Sequence, residues 1–268
     1  MGIYLLLPRD IVDSVLQRII QTFRIVFSAT IKKTEENIRE TFKIHVLYPI
    51  PDRSINIWHP HGLSGVTPVI HNGYKLTDVY KPTKGVVHTF FFYIPIVKDL
   101  IRYLNAIESD YTTIKQTLQK ESVSVALGGA KEMKRVRNKV LDAVIKPRSG
   151  LFKIALETGT PIVPILTYGE NEIFPQMQSS FLEYINDRIY SIFKIYLPFP
   201  SLKSLHNWRK ISQHPLEQIH TYTGQPIYTK KIENPSKKQI EKLKSIYIAK
   251  LQELFEKTHP PEYTIDIT

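Results

Sequence analysis

Ser54-Ile55-Asn56-Ile57-Trp58-His59-Pro60-His61-Gly62 is an apolar, alternating run that ends in two imidazoles two residues apart. The alternation predicts a short strand, which puts the histidines where strand gives way to loop. Chemistry concentrates at such ends, because a rigid element positions side chains that the loop leaves accessible. Imidazole is the side chain best suited to taking a proton near neutral pH. Pro60 fixes its own φ and biases His59 toward an extended backbone, and Gly62 allows a turn or the close approach of a ligand. By itself, His59-Pro60-His61-Gly62 also fits two turn histidines with no chemical task.

The same strand-then-loop rhythm recurs down the chain. Residues 85–92 read as a strand and residues 111–120 as a helix, capped by Ser109 or Asp110 with Ile114 and Leu118 on one face. Ser122-Val123-Ser124-Val125-Ala126-Leu127 alternates again and stops at Gly128-Gly129. Residues 149–158 look helical and end at Gly159, a left-handed cap. Pro161-Ile162-Val163-Pro164-Ile165-Leu166-Thr167-Tyr168 follows as a strand whose two prolines argue for an edge or bulged position. Residues 191–202 are apolar and proline-punctuated, consistent with a loop against lipid or with ordinary core. Thr223-Gly224-Gln225-Pro226-Ile227 reads as a late turn and strand. Asn234-Pro235 opens a terminal helix with Pro in its first turn and Ile240, Leu243, Tyr247, Leu251 and Leu254 as its buried stripe. Strand, helix, strand in this order predicts an α/β fold, a single-domain sandwich with a mixed, largely parallel sheet. Ligands of such sheets gather beyond the carboxyl ends of the strands. Three strands here end in polar or glycine-rich loops: His59-Pro60-His61-Gly62, Gly128-Gly129-Ala130-Lys131-Glu132 and Tyr168-Gly169-Glu170-Asn171-Glu172.

Composition narrows the classes. The chain has 268 residues, 42% of them hydrophobic, enough for a sizeable core. It has no cysteine, which excludes disulfides, thiolate metal sites, a cysteine nucleophile and S-palmitoylation. A formal charge of +11 favours anionic partners: nucleic acid, an anionic membrane surface or a phosphorylated substrate. No run of apolar residues is long enough for a membrane-spanning helix. Leu6 stands where a myristoylation signal at Gly2 would need Ser or Thr. Residues 10–33 place Ile11, Val15, Leu16, Ile19, Phe23 and Phe27 at helical spacing with Arg18 and Arg24 between them, an N-terminal amphipathic helix that packs on the core or lies in a membrane interface. The expected organisation is therefore a membrane-associating segment over residues 1–40 and a catalytic domain over residues 41–268.

Candidate site residues follow from the three loops. An imidazole acting as base needs its second nitrogen oriented, usually by a carboxylate, and Glu132 is the preferred partner. Gly128 and Gly129 have no side chain to obstruct a substrate, and their amides can face an anion. Lys131, Lys134, Arg135, Arg137, Lys139, Lys146 and Arg148 form a basic run; as a phosphate clamp its best single member is Arg148, just before the Ser149-Gly150 helix start. Glu170 and Glu172 would share a side of a strand end around Asn171, suiting a hydrogen-bonding role or, with His59 and His61, a metal. Gly62-Leu63-Ser64-Gly65 has the wrong spacing for a nucleophile elbow, and no nucleic-acid-binding pattern is present.

Taken in order, His59-Pro60-His61-Gly62, Phe91-Phe92-Tyr93-Ile94-Pro95, Gly128-Gly129-Ala130-Lys131-Glu132, the block from Arg148 through Gly150 to Leu156, and the block from Val163 through Gly169 to Glu172 resemble the type-2 diacylglycerol acyltransferase family, which includes monoacylglycerol and wax-ester acyltransferases. The resemblance covers residues 55–255. It implies a membrane-associated enzyme, on an endoplasmic-reticulum or lipid-droplet type membrane, that moves a fatty acyl group from acyl-CoA as co-substrate to an acylglycerol or long-chain alcohol, without metal or bound cofactor and without nucleic acid. More distant glycerolipid acyltransferases place an aspartate five residues after their histidine. This chain has Ser64 and Val66 there, so the acid partner must come from elsewhere, and Glu132 fills that place. On this reading His61 is the general base, His59 its alternate, Gly62, Gly128, Gly129, Arg148, Gly150, Gly169, Glu170, Asn171 and Glu172 surround the substrates, and no residue holds a metal. Two rivals are a catalytically silent lipid-binding module of the same fold and a metal-dependent hydrolase using His59, His61, Glu170 and Glu172.

Overall fold

The computed structural model describes residues 28–62, 65–74 and 83–268. Within them the strands are β1 (Phe42–Val46), β2 (Ile55–His59), β3 (Lys84–Val87), β4 (Ala106–Glu108), β5 (Val123–Ala126), β6 (Val140–Ala143), β7 (Ile162–Tyr168), β8 (Ile219–Thr223) and β9 (Thr264–Ile267). Among the described residues the main sheet has seven strands in the order β1-β8-β7-β2-β5-β3-β4, and β6 pairs with β9 in a small second sheet. Every neighbouring pair in the main sheet is parallel except β7 with β8. The sheet is mixed and largely parallel, as the strand-helix rhythm predicts.

Both faces of β2 are covered, so its alternation does not separate core from solvent. Ile55 and Ile57 join the large core with Leu243, Leu251 and Leu254 of the helix Lys237–Thr258, whereas Trp58 packs with Val163 and Ile165. Asn56 is buried too and accepts a hydrogen bond from Ser54 Oγ at 2.9 Å, while Trp58 Nε1 donates to Ser124 Oγ at 3.1 Å. Polar positions in a doubly covered strand survive because each finds a partner.

The helix Gly150–Thr158 ends as expected at Gly159, whose φ is +66°. The helix Lys237–Thr258 buries the stripe read from its spacing, but Pro235 stands outside it. Its N-cap is Ser236, which with Gln239 forms a reciprocal capping box. Residues 85–92 divide into β3 and a 3-10 helix, Thr89–Tyr93, and the helix of residues 111–120 is Tyr111–Thr117, with Asp110 accepting from the amides of Thr112 and Thr113.

β7 is not an edge. It lies between β2 and β8 with all seven residues buried. Its interior Pro164 is accommodated by a break in the neighbour: β8 pairs with residues 165–168, contact resumes only at the Ile162–Ile227 bridge, and Gly224 N donates to Pro164 O at 2.8 Å between them. A residue's N–H and C=O point to the same side of a strand, so the donor that proline lacks faces this interruption.

The expected N-terminal helix lies outside the described residues up to residue 27; residues 28–33 open the helix Ser28–Thr41. Among the described residues no helix is long and apolar enough to cross a membrane.

Candidate active site

β2, β5 and β7 are adjacent and parallel, so their carboxyl ends share one rim and bring the three loops together. At the centre is Glu132, on the first turn of the short helix Ala130–Lys134 and 1% exposed. Its Oε1 accepts from His59 Nδ1 at 3.0 Å and from the Val144 amide at 2.8 Å, and its Oε2 accepts from the His61 amide at 2.9 Å. One carboxylate therefore fixes the ring of His59 and the backbone of His61. Gly128 makes this possible, because a Cβ there would overlap the folded-back Glu132 side chain.

The two histidines differ in access. His59 is completely buried, and its Nε2 has no hydrogen-bond partner among the described residues. His61 is half-buried with Nδ1 enclosed and likewise unpartnered. Burial lowers the His61 pKa from its ordinary value, opposed by the charge of Glu132. At neutral pH that imidazole is uncharged and able to accept a proton. Tyr247 completes the buried wall, its ring 6.2 Å from that of His59. Its hydroxyl lacks a partner among the described residues, and burial beside Glu132 holds the phenol well above its ordinary pKa. The spacing of the terminal helix identifies Tyr247 as core; nothing local to it signals the site.

Glu170 braces the histidine loop from the opposite side. Its Oε2 accepts from the amide and hydroxyl of Thr67, and its carboxylate lies against Gly62, where φ is +64° and a Cβ would collide with Oε1. Thr67 had no signal in the sequence as a partner of this loop.

Residues 51–267 match the diacylglycerol acyltransferase family. The chain belongs to the diacylglycerol acyltransferase family. This is a family of acyltransferase enzymes, and the match includes all three rim loops. The chain is 27% identical to 2-acylglycerol O-acyltransferase 1 of Homo sapiens over 86% of this chain and 73% of that protein. It is 30% identical to diacylglycerol O-acyltransferase 2-like protein 6 of Mus musculus over 84% and 71%, and 26% identical to diacylglycerol O-acyltransferase 2 of Dictyostelium discoideum over 75% and 64%. Across such relatives it spans between 59% and 73% of their length.

The remaining candidate residues of this family member are not all at the rim centre. Arg148 Nη2 donates to Gly128 O at 2.7 Å, clamping the Gly128-Gly129 turn, and the Gly129 amide is engaged with Ala126 O at 3.1 Å. Gly150 opens its helix onto free space. Gly169, with φ +92°, donates its amide to Tyr263 Oη at 3.0 Å. Glu170 and Glu172 do not share a strand face, because β7 ends at Tyr168 and both lie in the short helix Glu170–Ile173. Glu172 accepts from the Lys139 amide and from Tyr263 Oη at 3.1 Å, far from the role of Glu170, and Asn171 donates to Arg137 O at 3.3 Å. The two-histidine, two-carboxylate metal arrangement is thus not assembled, and among the described residues no group of three His, Asp or Glu side chains is placed to hold a metal. The basic run also divides. Lys134 pairs with Asp187, Arg137 with Asp142 and Asp266, and Lys139 with Glu262, whereas Lys131 and Lys146 are exposed.

Proposed function

We propose that the protein transfers a fatty acyl group from acyl-CoA to the hydroxyl of an acylglycerol at a membrane surface, as a step of neutral-lipid synthesis. The observation that carries this reading is the Glu132 carboxylate joining both histidines of the strand-end loop. The names of the relatives supply the acceptor class: 2-acylglycerol and diacylglycerol.

His61 is the base in this reading, because a base must touch its substrate and His61 is the less enclosed ring. It takes the acceptor hydroxyl proton as the alkoxide oxygen attacks the thioester carbonyl. Glu132 stabilises the imidazolium electrostatically and keeps the loop in place. Amides of the Gly128-Gly129-Ala130 turn other than the engaged Gly129 N–H stabilise the developing oxyanion; such a donor contributes about 3 kcal/mol in other acyl-transfer enzymes. Collapse breaks the C–S bond, and the departing thiolate takes the proton back from His61. The transfer is redox-neutral and needs only the donor as co-substrate. Exposed Lys131 and Lys146, with Arg148, supply the cations for the phosphates of that donor.

His59 is the second reading, favoured by a ring already oriented through Nδ1 with Nε2 left unpartnered among the described residues. Full-length protein in detergent or liposomes, given radiolabelled acyl-CoA with mono- and diacylglycerol, separates the two. We expect acylated glyceride, and a loss of roughly 100- to 10,000-fold in kcat for His61→Ala. An unchanged rate in that variant with loss in His59→Ala moves the base to His59; unchanged rates in both end the histidine mechanism.

A further inference from the structure

We infer that the helix Ser180–Phe193, together with the segments Thr89–Tyr93 and Val97–Tyr103, forms a docking face for an anionic lipid bilayer. The helix Ser180–Phe193 carries large apolar residues on a solvent face as well as toward the core: Leu182, Ile185 and Ile189 are partly buried, and its one fully buried side chain is Asn186, which bonds the backbone of Leu197 through both its amide atoms. At about 100° per residue, Phe181, Tyr184, Arg188 and Ile192 fall within an arc of about 80° on the opposite face. Phe181 is 69% and Ile192 71% exposed. The helix Val97–Tyr103 buries no side chain, and Ile96, Leu100, Tyr103 and Leu104 recur on one exposed face at helical spacing. Tyr93 just before it is 79% exposed. Phe90 meets Phe193 with ring centroids 5.0 Å apart, which joins the segments into one surface. Contiguous exposure of large apolar residues on this scale marks an interaction site.

Charge and place select the bilayer as occupant. Arg188 lies over the Tyr184 ring at 5.3 Å, Lys194 over Tyr190 at 5.5 Å and Arg102 over Phe92 at 5.8 Å, so exposed cations stand among the aromatics as in interfacial helices, within a chain of net charge +11. The face also adjoins the rim: Asp187 pairs with Lys134, two residues beyond Glu132, and the 3-10 helix Thr89–Tyr93 follows the carboxyl end of β3. A bilayer on this face would deliver an acceptor dissolved in it to the histidine loop. That last step rests on the proposed acyl transfer; the docking itself does not.

Sedimentation of the full chain with phosphatidylcholine vesicles, with and without phosphatidylserine, tests it. Binding is expected, stronger with phosphatidylserine, and reduced at least about tenfold by the fourfold variant Tyr93→Ser, Leu100→Ser, Phe181→Ser, Ile192→Ser. Tyr228→Ser, which changes a residue 74% exposed beside the Ile162–Ile227 bridge at the opposite end of β7, should leave binding intact. Because the chain has no cysteine, Ile192→Cys carries a single bimane whose emission should shift to the blue only when vesicles are added. Wild-type binding by the fourfold variant would place membrane attachment elsewhere, residues 1–27 included, and overturn the inference. So would a bimane already blue-shifted without vesicles, which would mean that the chain itself or a second copy covers the face. Vesicle binding through the face with no turnover of acyl-CoA would remove the proposed function and leave this inference standing.

Discussion

Glu132 has two oxygens and three donors to satisfy, and that asymmetry makes its chemistry testable. Oε1 serves His59 Nδ1 and the Val144 amide, while Oε2 serves the His61 amide. In Glu132→Gln one oxygen becomes an NH2, so a donor is set against at least one of those donors in a buried place. The variant should lose about 2 to 3 kcal/mol of stability, because a buried donor without an acceptor bears its full desolvation cost. It should also lose at least about 100-fold in kcat, since the charge opposite the imidazolium is gone and the loop is no longer fixed. Urea unfolding and initial rates on the folded fraction measure the two effects separately; full activity in a destabilised protein would show that Glu132 only supports the loop. Glu132 was legible as a partner because the strand-end histidines need a carboxylate and none stands five residues on. Which histidine it grips was not, since Glu132 is 73 residues from His59 and their contact depends on how two loops settle on one rim.

At the scale of elements, the junction of β7 with β8 is the sharpest test of the packing. Pro164 sits inside the sheet because the partner strand gives way at Gly224, where a Cβ would stand 2.8 Å from Pro164 Cγ and 3.0 Å from Leu254 Cδ2. Both neighbours are buried and held by the helix Lys237–Thr258, so Gly224→Ala should cost about 1 to 3 kcal/mol by overpacking. A thermal melt reads this, and the folded fraction should keep its rate, because the junction lies below the rim; stability equal to the parent would mean that the break opens more freely than its contacts imply. Two prolines correctly announced an irregular ladder, but an edge and an interrupted neighbour satisfy the same missing donor, and only β8 distinguishes them. Long periodic elements such as Lys237–Thr258 were readable because their buried stripe repeats over several turns. β4, β6 and β9, of three or four residues each, carry too few positions for any period to emerge. The helix Ser180–Phe193 escaped for another reason: Phe181, Tyr184, Ile192 and Phe193 look outward while Leu182, Ile185 and Ile189 are partly buried, so its apolar residues do not form the single stripe that reports a core.

Across the whole molecule, histidine burial sets the response to acid. Burial lowers the pKa of His45, His61, His71, His88 and His220, and takes that of His71, 1% exposed and stacked on Trp58 at 5.6 Å, to about 3. A folded pKa below the unfolded value near 6.5 means that the unfolded chain binds protons first as pH falls. Stability is therefore fully present above about pH 6.5 and declines below it, with His71 contributing up to about 1.4 kcal/mol per pH unit down to its folded value. Unperturbed carboxylates titrate mainly below about pH 5, so the histidines dominate the slope between about pH 6.5 and 5. Urea midpoints should fall from pH 7 to 5, and His71→Phe should flatten the fall. Activity obeys a different limit. If His61 is the base, kcat/KM per folded molecule reports its folded pKa, which burial places below 6.5. The acid limb of the rate should thus be centred below about 6.5, so that activity per folded molecule persists to lower pH than a free imidazole would allow. An ascending limb centred above 6.5 would sink the assignment of His61, because a base held uncharged by burial cannot lose its activity at a pH where free imidazole keeps it.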